Sequence, residues 1–125
     1  MNLHSHLVLI VEDEIFIAVE LEDIIRDAGG AVAGPAMTAP EALRLIETRK
    51  ITAAILDVHL GDHDSSSVAR RLEAAGIPFI FHTGNGESEI SSNKWPQAPV
   101  VNKPATPQAI RAALAAVTKN NRRSG

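Results

Sequence analysis

Apolar residues of this 125-residue chain fall into two patterns that alternate along it. Short unbroken runs read as strands: Leu7–Val11, Ile51–Leu56, Ile77–His82 and, as the core of a last one, Val100-Val101. Such runs suit a sheet covered on both faces. Ala31-Val32-Ala33 is a weaker strand, closed by Gly34-Pro35. The intervening segments carry helical spacing. Ile17, Leu21, Ile24 and Ala28 form one stripe, stopped by Gly29-Gly30. Thr38-Ala39-Pro40-Glu41 matches a capping box; the helix it opens carries Ala42, Leu45 and Ile46 and ends near Lys50. Val58–Asp64 reads as a loop before a third helix with Val68, Leu72 and Ala75, stopped by Gly76. Thr106-Pro107 supplies a cap and a first-turn proline for a last helix with Ile110, Ala113, Leu114 and Val117 on one stripe.

One segment breaks the alternation. Thr83–Ala98 stands where another helix is due, yet it holds Gly84, Gly86 and Pro96 and no apolar stripe. The composition predicts mostly loop, with at most a short turn around Glu87–Ser91. A loop that long in a compact domain is usually functional or disordered. The polar stretch 119–125 is expected to fray, leaving a single domain with its core at about 7–118.

Each of the four stronger strand runs ends in reactive residues. Glu12-Asp13 follow the first, Asp57 the third, Thr83 the fourth and Lys103-Pro104 the fifth. In an open parallel α/β sheet, ligands bind beyond the carboxyl ends of the strands. Three acids, a hydroxyl and an ammonium would then share one rim. A cation site beside an anion site is the equipment of phosphoryl transfer.

Composition narrows the function classes. The chain is 45% hydrophobic but 3% aromatic, with no Tyr, so the core must be built from Ala, Val, Ile and Leu. Net charge is −3, which disfavours a nucleic-acid surface. There is no Cys, so disulfides, thiol catalysis and Cys-ligated zinc are out. The longest apolar run, Ala112–Val117, is far below the ~20 residues of a membrane span. The N-terminus has no signal-peptide pattern. These features lead us to expect a soluble cytoplasmic protein without membrane or nucleic-acid partners.

The residues Glu12-Asp13, Asp57, Thr83 and Lys103-Pro104, in this order at these strand ends, resemble the receiver domain of two-component response regulators, from about Leu7 to Val117. Phe81-His82-Thr83-Gly84 also resembles the Phe-Ala-Thr-Gly run of the alphaproteobacterial "FAT GUY" subgroup, whose fourth helix is missing or poorly formed. His82 and Ala105 depart from that subgroup, which usually has Ala and Phe there. The resemblance implies a doubly wound α/β fold with a five-stranded parallel sheet in flavodoxin-like order 2-1-3-4-5. It implies Mg²⁺ on Asp13 and Asp57, with Glu12 acting through a water and the backbone carbonyl of His59 as a further ligand. It makes Asp57 the phosphoacceptor from a histidine kinase or phosphotransfer protein, with Thr83 and Lys103 on the phosphoryl oxygens. Most receivers have an aromatic residue three positions before the Lys; Val100 stands there. A cis Lys103–Pro104 bond is expected, since the chain must aim Lys103 back at Asp57.

Taken singly, these residues have plainer readings. Glu12-Asp13 suit the first turn of a helix, Thr83 suits a Gly-rich turn, and a lone Lys is usually solvated. His59 and His63 have a metal-like spacing but lie in a polar loop. Trp95 is expected to cover the core edge. The expected function is a stand-alone phosphoacceptor that signals through a downstream protein, its only catalysis being its own phosphorylation and slow dephosphorylation. The alternative is a receiver fold used as a binding module without phosphorylation. A Mg²⁺ nuclease or phosphatase of another type would need a second acid that Asp57-Val58-His59 lacks.

Overall fold

The computed structural model describes residues 3–60, 63–84, 95 and 97–123, with 63, 64 and 120–123 described through their backbone. Strands β1 (Leu7–Val11), β2 (Ala31–Ala36), β3 (Ala53–Leu56), β6 (Phe79–Thr83) and β7 (Val100–Asn102) form one five-stranded sheet in the order β2-β1-β3-β6-β7. All pairings in it are parallel. A small antiparallel pair, β4 (His59–Leu60) and β5 (His63–Asp64), lies outside the sheet. With that pair set aside, the order is the expected 2-1-3-4-5. Helices α1 (Ile15–Asp27), α2 (Ala39–Thr48), α3 (Ser66–Ala74) and α4 (Pro107–Arg123) complete the described elements.

The sheet separates two apolar clusters. Leu9, Val11, Leu56, Phe79, Phe81 and Trp95 lie on the face covered by α2 and α3. Val8, Ile10, Ile55 and Ile80 lie on the other, with Leu21 and Ile25 of α1 and Ile110 and Leu114 of α4. The alternation follows from the period-2 side-chain direction of a strand. Ile10, Ile55, Ile80 and Leu114 are fully buried, and each such side chain contributes about 1.5–3 kcal/mol of burial free energy. Because β1 has β2 on one side and β3 on the other, the chain changes direction across the sheet there. That switch opens a crevice at the carboxyl ends of β1 and β3.

Helix ends follow the sequence signals. The Thr38 hydroxyl accepts from the Glu41 amide at 3.3 Å and donates to its carboxylate at 3.1 Å. Thr106 accepts from the Ala109 amide at 3.1 Å, with Pro107 opening α4. Gly29 and Gly76 close α1 and α3 with positive φ of 91° and 72°.

Two expectations differ from what is observed. β2 does not close at Gly34-Pro35 but runs through both to Ala36. It is an edge strand, where a missing N–H is tolerated, and one extra residue between Ala33 and Ala36 makes a bulge opposite Leu9–Val11. Val58–Asp64 is more than a loop, since it contains the β4–β5 pair. α4 is helical through Arg123, and no Gly or Pro stands in its last turns. The predicted loop between Thr83 and Ala98 falls largely on residues outside the described set, 85–94 and 96.

Candidate functional site

Four strand ends bring the polar residues to one rim. β1 leads into Glu12 and Asp13, and the Glu12 amide is tied to the Ala36 carbonyl at 3.0 Å. β3 leads into Asp57, whose amide donates to the Val11 carbonyl at 2.9 Å. Ligand oxygens of Glu12, Asp13 and Asp57 all lie within 4.8 Å of one another. Thr83 is the fully buried last residue of β6, in register with Asn102 of β7. The Lys103 amide donates to the Thr83 carbonyl at 2.8 Å, which docks the end of β7 against β6. The Lys103–Pro104 bond is cis, as expected, and so is Gly34–Pro35. The His59 amide donates to Asp57 Oδ1 at 3.2 Å, so β4 begins directly on the acid.

Lys103 is the hub of the rim. Its Nζ lies 2.9 Å from Asp57 Oδ2, 3.0 Å from Glu12 Oε1 and 3.5 Å from Glu14 Oε2. Burial works against the ammonium, but the hydrogen bonds and charges of Asp57 and Glu12 outweigh it and hold Lys103 protonated well above the usual lysine range. Glu12 is almost wholly buried. That burial, followed by the neighbouring Asp57, pushes its pKa up to about 7, against the pull of Lys103. Its Oε1 is within ion-pair distance of Lys103 yet has no aligned hydrogen bond among the described residues. A buried carboxylate oxygen left in that state, beside two further carboxylates, is a fit for a hard cation such as Mg²⁺, which takes oxygen ligands.

Two residues of this region were assigned no role from the sequence pattern. Glu14 sits just before α1 and reaches Lys103; only its place after Glu12-Asp13 could have drawn attention to it. His82 is 95% buried on β6, and neither ring nitrogen has a hydrogen-bond partner among the described residues. Strand alternation from Ile80 places it on the α1–α4 face, one step beyond the paired Leu56 and Phe81 and therefore beside Asp57. Burial first, then the charge of Lys103, lowers its pKa to about 4, with Asp57 opposing.

The surroundings are apolar in two different senses. Inside, Trp95 is buried and packs on Phe81 with centroids 5.9 Å apart, the cover expected for it. Val100 pairs with Phe81 across β6 and β7, so no ring occupies that place. Outside, the first turns of α1 expose Ile15 (49%), Phe16 (88%) and Val19 (45%) next to the acids. No described helix is long and apolar enough to cross a membrane.

Comparison with known proteins agrees with this geometry. The family model described as the response regulator receiver domain matches residues 8–115. The phyllosphere-induced regulator PhyR of Methylorubrum extorquens is 32% identical over 110 residues, 86% of this chain and 41% of that protein. The transcriptional regulatory protein PdtaR of Mycobacterium tuberculosis is 30% identical over 84 residues, 66% of this chain and 41% of that protein. The chain thus spans about two fifths of the length of these curated relatives. Among solved structures, SdrG from Sphingomonas melonis Fr1 is 39% identical with a TM-score of 0.80, covering 94% of this chain and 98% of that one. The receiver domain of PhyR from Erythrobacter litoralis is 27% identical with a TM-score of 0.81, covering 91% and 90%.

Proposed function

The chain belongs to the response regulator receiver domain family of two-component signalling, and on that premise we propose that it accepts a phosphoryl group on Asp57. The observation that carries this reading is the contact of Lys103 Nζ with Asp57 Oδ2 at 2.9 Å inside a cluster of three carboxylates. A carboxylate held by an ammonium at a strand end, with the His59 amide on its other oxygen, is a nucleophile with an anion partner already in place.

The donor is the phosphohistidine of a histidine kinase or phosphotransfer protein. An Asp57 oxygen attacks phosphorus, the P–N bond breaks, and the imidazole leaves with a proton. Lys103 swings from the acid to a phosphoryl oxygen, and the Thr83 hydroxyl donates to another. Glu12, Asp13 and Asp57 would hold Mg²⁺, which when bound would offset the repulsion between an anionic nucleophile and an anionic donor. The exposed Ile15, Phe16 and Val19 beside the mouth give the donor protein an apolar surface to cover while its phosphohistidine reaches Asp57. Without an aromatic at Val100 to rotate, the signal to a downstream protein takes another route, either the segment that follows Thr83 or another surface.

Intact-mass measurement after incubation with Mg²⁺ and acetyl phosphate tests the core of this reading. One phosphoryl group should add to the wild type and none to Asp57→Asn. Equal uptake by both proteins would refute it.

A further inference from the structure

We propose that Glu14, held at the mouth of the rim by Lys103, makes the site discriminate against small phosphodonors of high negative charge. This rests on reading Asp57 as the phosphoacceptor.

Glu14 occupies the residue before α1, the place from which a shorter polar side chain would turn onto the helix amides. Here it makes no such capping bond. Its Oε2 lies instead 3.5 Å from Lys103 Nζ, across the mouth of the rim. The Glu14 side chain is 63% exposed, whereas its two rivals for Lys103 are buried, Glu12 at 1% and Asp57 at 8%. An exposed pair of this kind adds little to stability. What it sets is where charge stands.

The three partners of Lys103 differ in what the reaction does to them. Asp57 loses its full negative charge when it becomes an acyl phosphate. Glu12 belongs to the carboxylate cluster that fits a cation. Glu14 is neither the acceptor nor a member of that cluster. It therefore leaves a fixed negative charge in the path of the donor. The repulsion it exerts scales with the charge of what approaches. At about 7 Å in a water-like dielectric, one charge slows an anion roughly two- to threefold per unit of donor charge, and salt screens the effect.

The test compares two small donors with each of four proteins, at low and high ionic strength. Acetyl phosphate carries one negative charge more than phosphoramidate at neutral pH. Glu14→Gln should phosphorylate about fivefold faster than wild type with acetyl phosphate and about twofold faster with phosphoramidate. Glu14→Lys should widen the difference further, Glu14→Asp should keep the wild-type ratio, and the differences should shrink in high salt. Circular dichroism checks that the exposed substitution leaves the fold intact. A rate change equal for both donors, or no change, would overturn the proposal while leaving Asp57 as the acceptor. No uptake by the wild type from either donor would instead overturn the phosphoacceptor reading and this proposal with it.

Discussion

Replacing His82 with Leu should make the protein more stable, and more so in acid. The neutral imidazole has one donor and one acceptor, and both ring nitrogens are buried without partners. Each buried group left unpaired costs about 1–3 kcal/mol. Leu is of similar volume and puts apolar atoms among Ile55, Ile80 and Leu114, the cluster on that face. A gain of about 1–3 kcal/mol at pH 7 is expected, or a Tm higher by about 4 °C for each kcal/mol. The pH effect has a definite sign. The unfolded imidazole takes up its proton near 6.5 and the folded one only near 4. As pH falls between those values the unfolded state binds more protons, so the wild type loses stability. By pH 4.5 the loss through this residue is about 2 kcal/mol, out of a limit of about 3 kcal/mol. Urea unfolding followed by circular dichroism, at pH 7 and 4.5 and with equal m-values, reads the difference between the two proteins. Groups common to both, such as Glu12, cancel to first order. A variant less stable at pH 7, or a gap that does not widen in acid, would refute the reasoning.

Mg²⁺ should bind more tightly as pH rises through about 7, because the buried Glu12 holds a proton up to that range and must release it to serve a cation; calorimetry in buffers of different ionisation heat should detect the released proton. Gly34→Ala should cost at least about 2 kcal/mol, since φ is +95° and a Cβ would stand 2.6 Å from the Ala36 amide nitrogen and 3.1 Å from the Ile10 carbonyl oxygen, both backbone. Gly76→Ala, at φ +72° with nothing within 4 Å, should cost about 1–2 kcal/mol from the backbone alone, and thermal melts of the pair separate clash from conformation. Phe16→Ala should slow phosphorylation by a partner kinase while leaving uptake from acetyl phosphate within about twofold, because an exposed side chain matters only to what covers it; an equal loss with both donors would contradict a docking role.

The sheet and the rim were legible because the strands are short, apolar and end abruptly in charge. Glu12, Asp13, Asp57 and Lys103 each follow such a run, and parallel pairing brings the ends of all of them to one side. What escaped were features decided by tertiary context. Gly34-Pro35 reads as a stop, and only the edge position of β2 lets the strand pass through. Two-residue strands such as His59–Leu60 are too short to show a period. Glu14 and Lys103 lie at opposite ends of the chain, so nothing local announces their contact. His82 was within reach, since alternation from Ile80 already turned it inward; a histidine in that register conflicts with its apolar neighbours, and conflicts of that kind tend to mark functional or strained places.

The partition of rings between the two sides of the sheet gives each side its own reporter. Phe79, Phe81 and Trp95 are all in the cluster beneath α2 and α3, and the third Phe is out in solvent on α1. With one Trp and no Tyr in the chain, intrinsic fluorescence sees the α2–α3 side and is blind to the aliphatic α1–α4 side. The latter holds His82, whose imidazole resonances are distinct in NMR. Emission and imidazole shifts, recorded through one titration with a phosphoryl mimic, would tell whether the two halves of this small protein respond in step or one after the other.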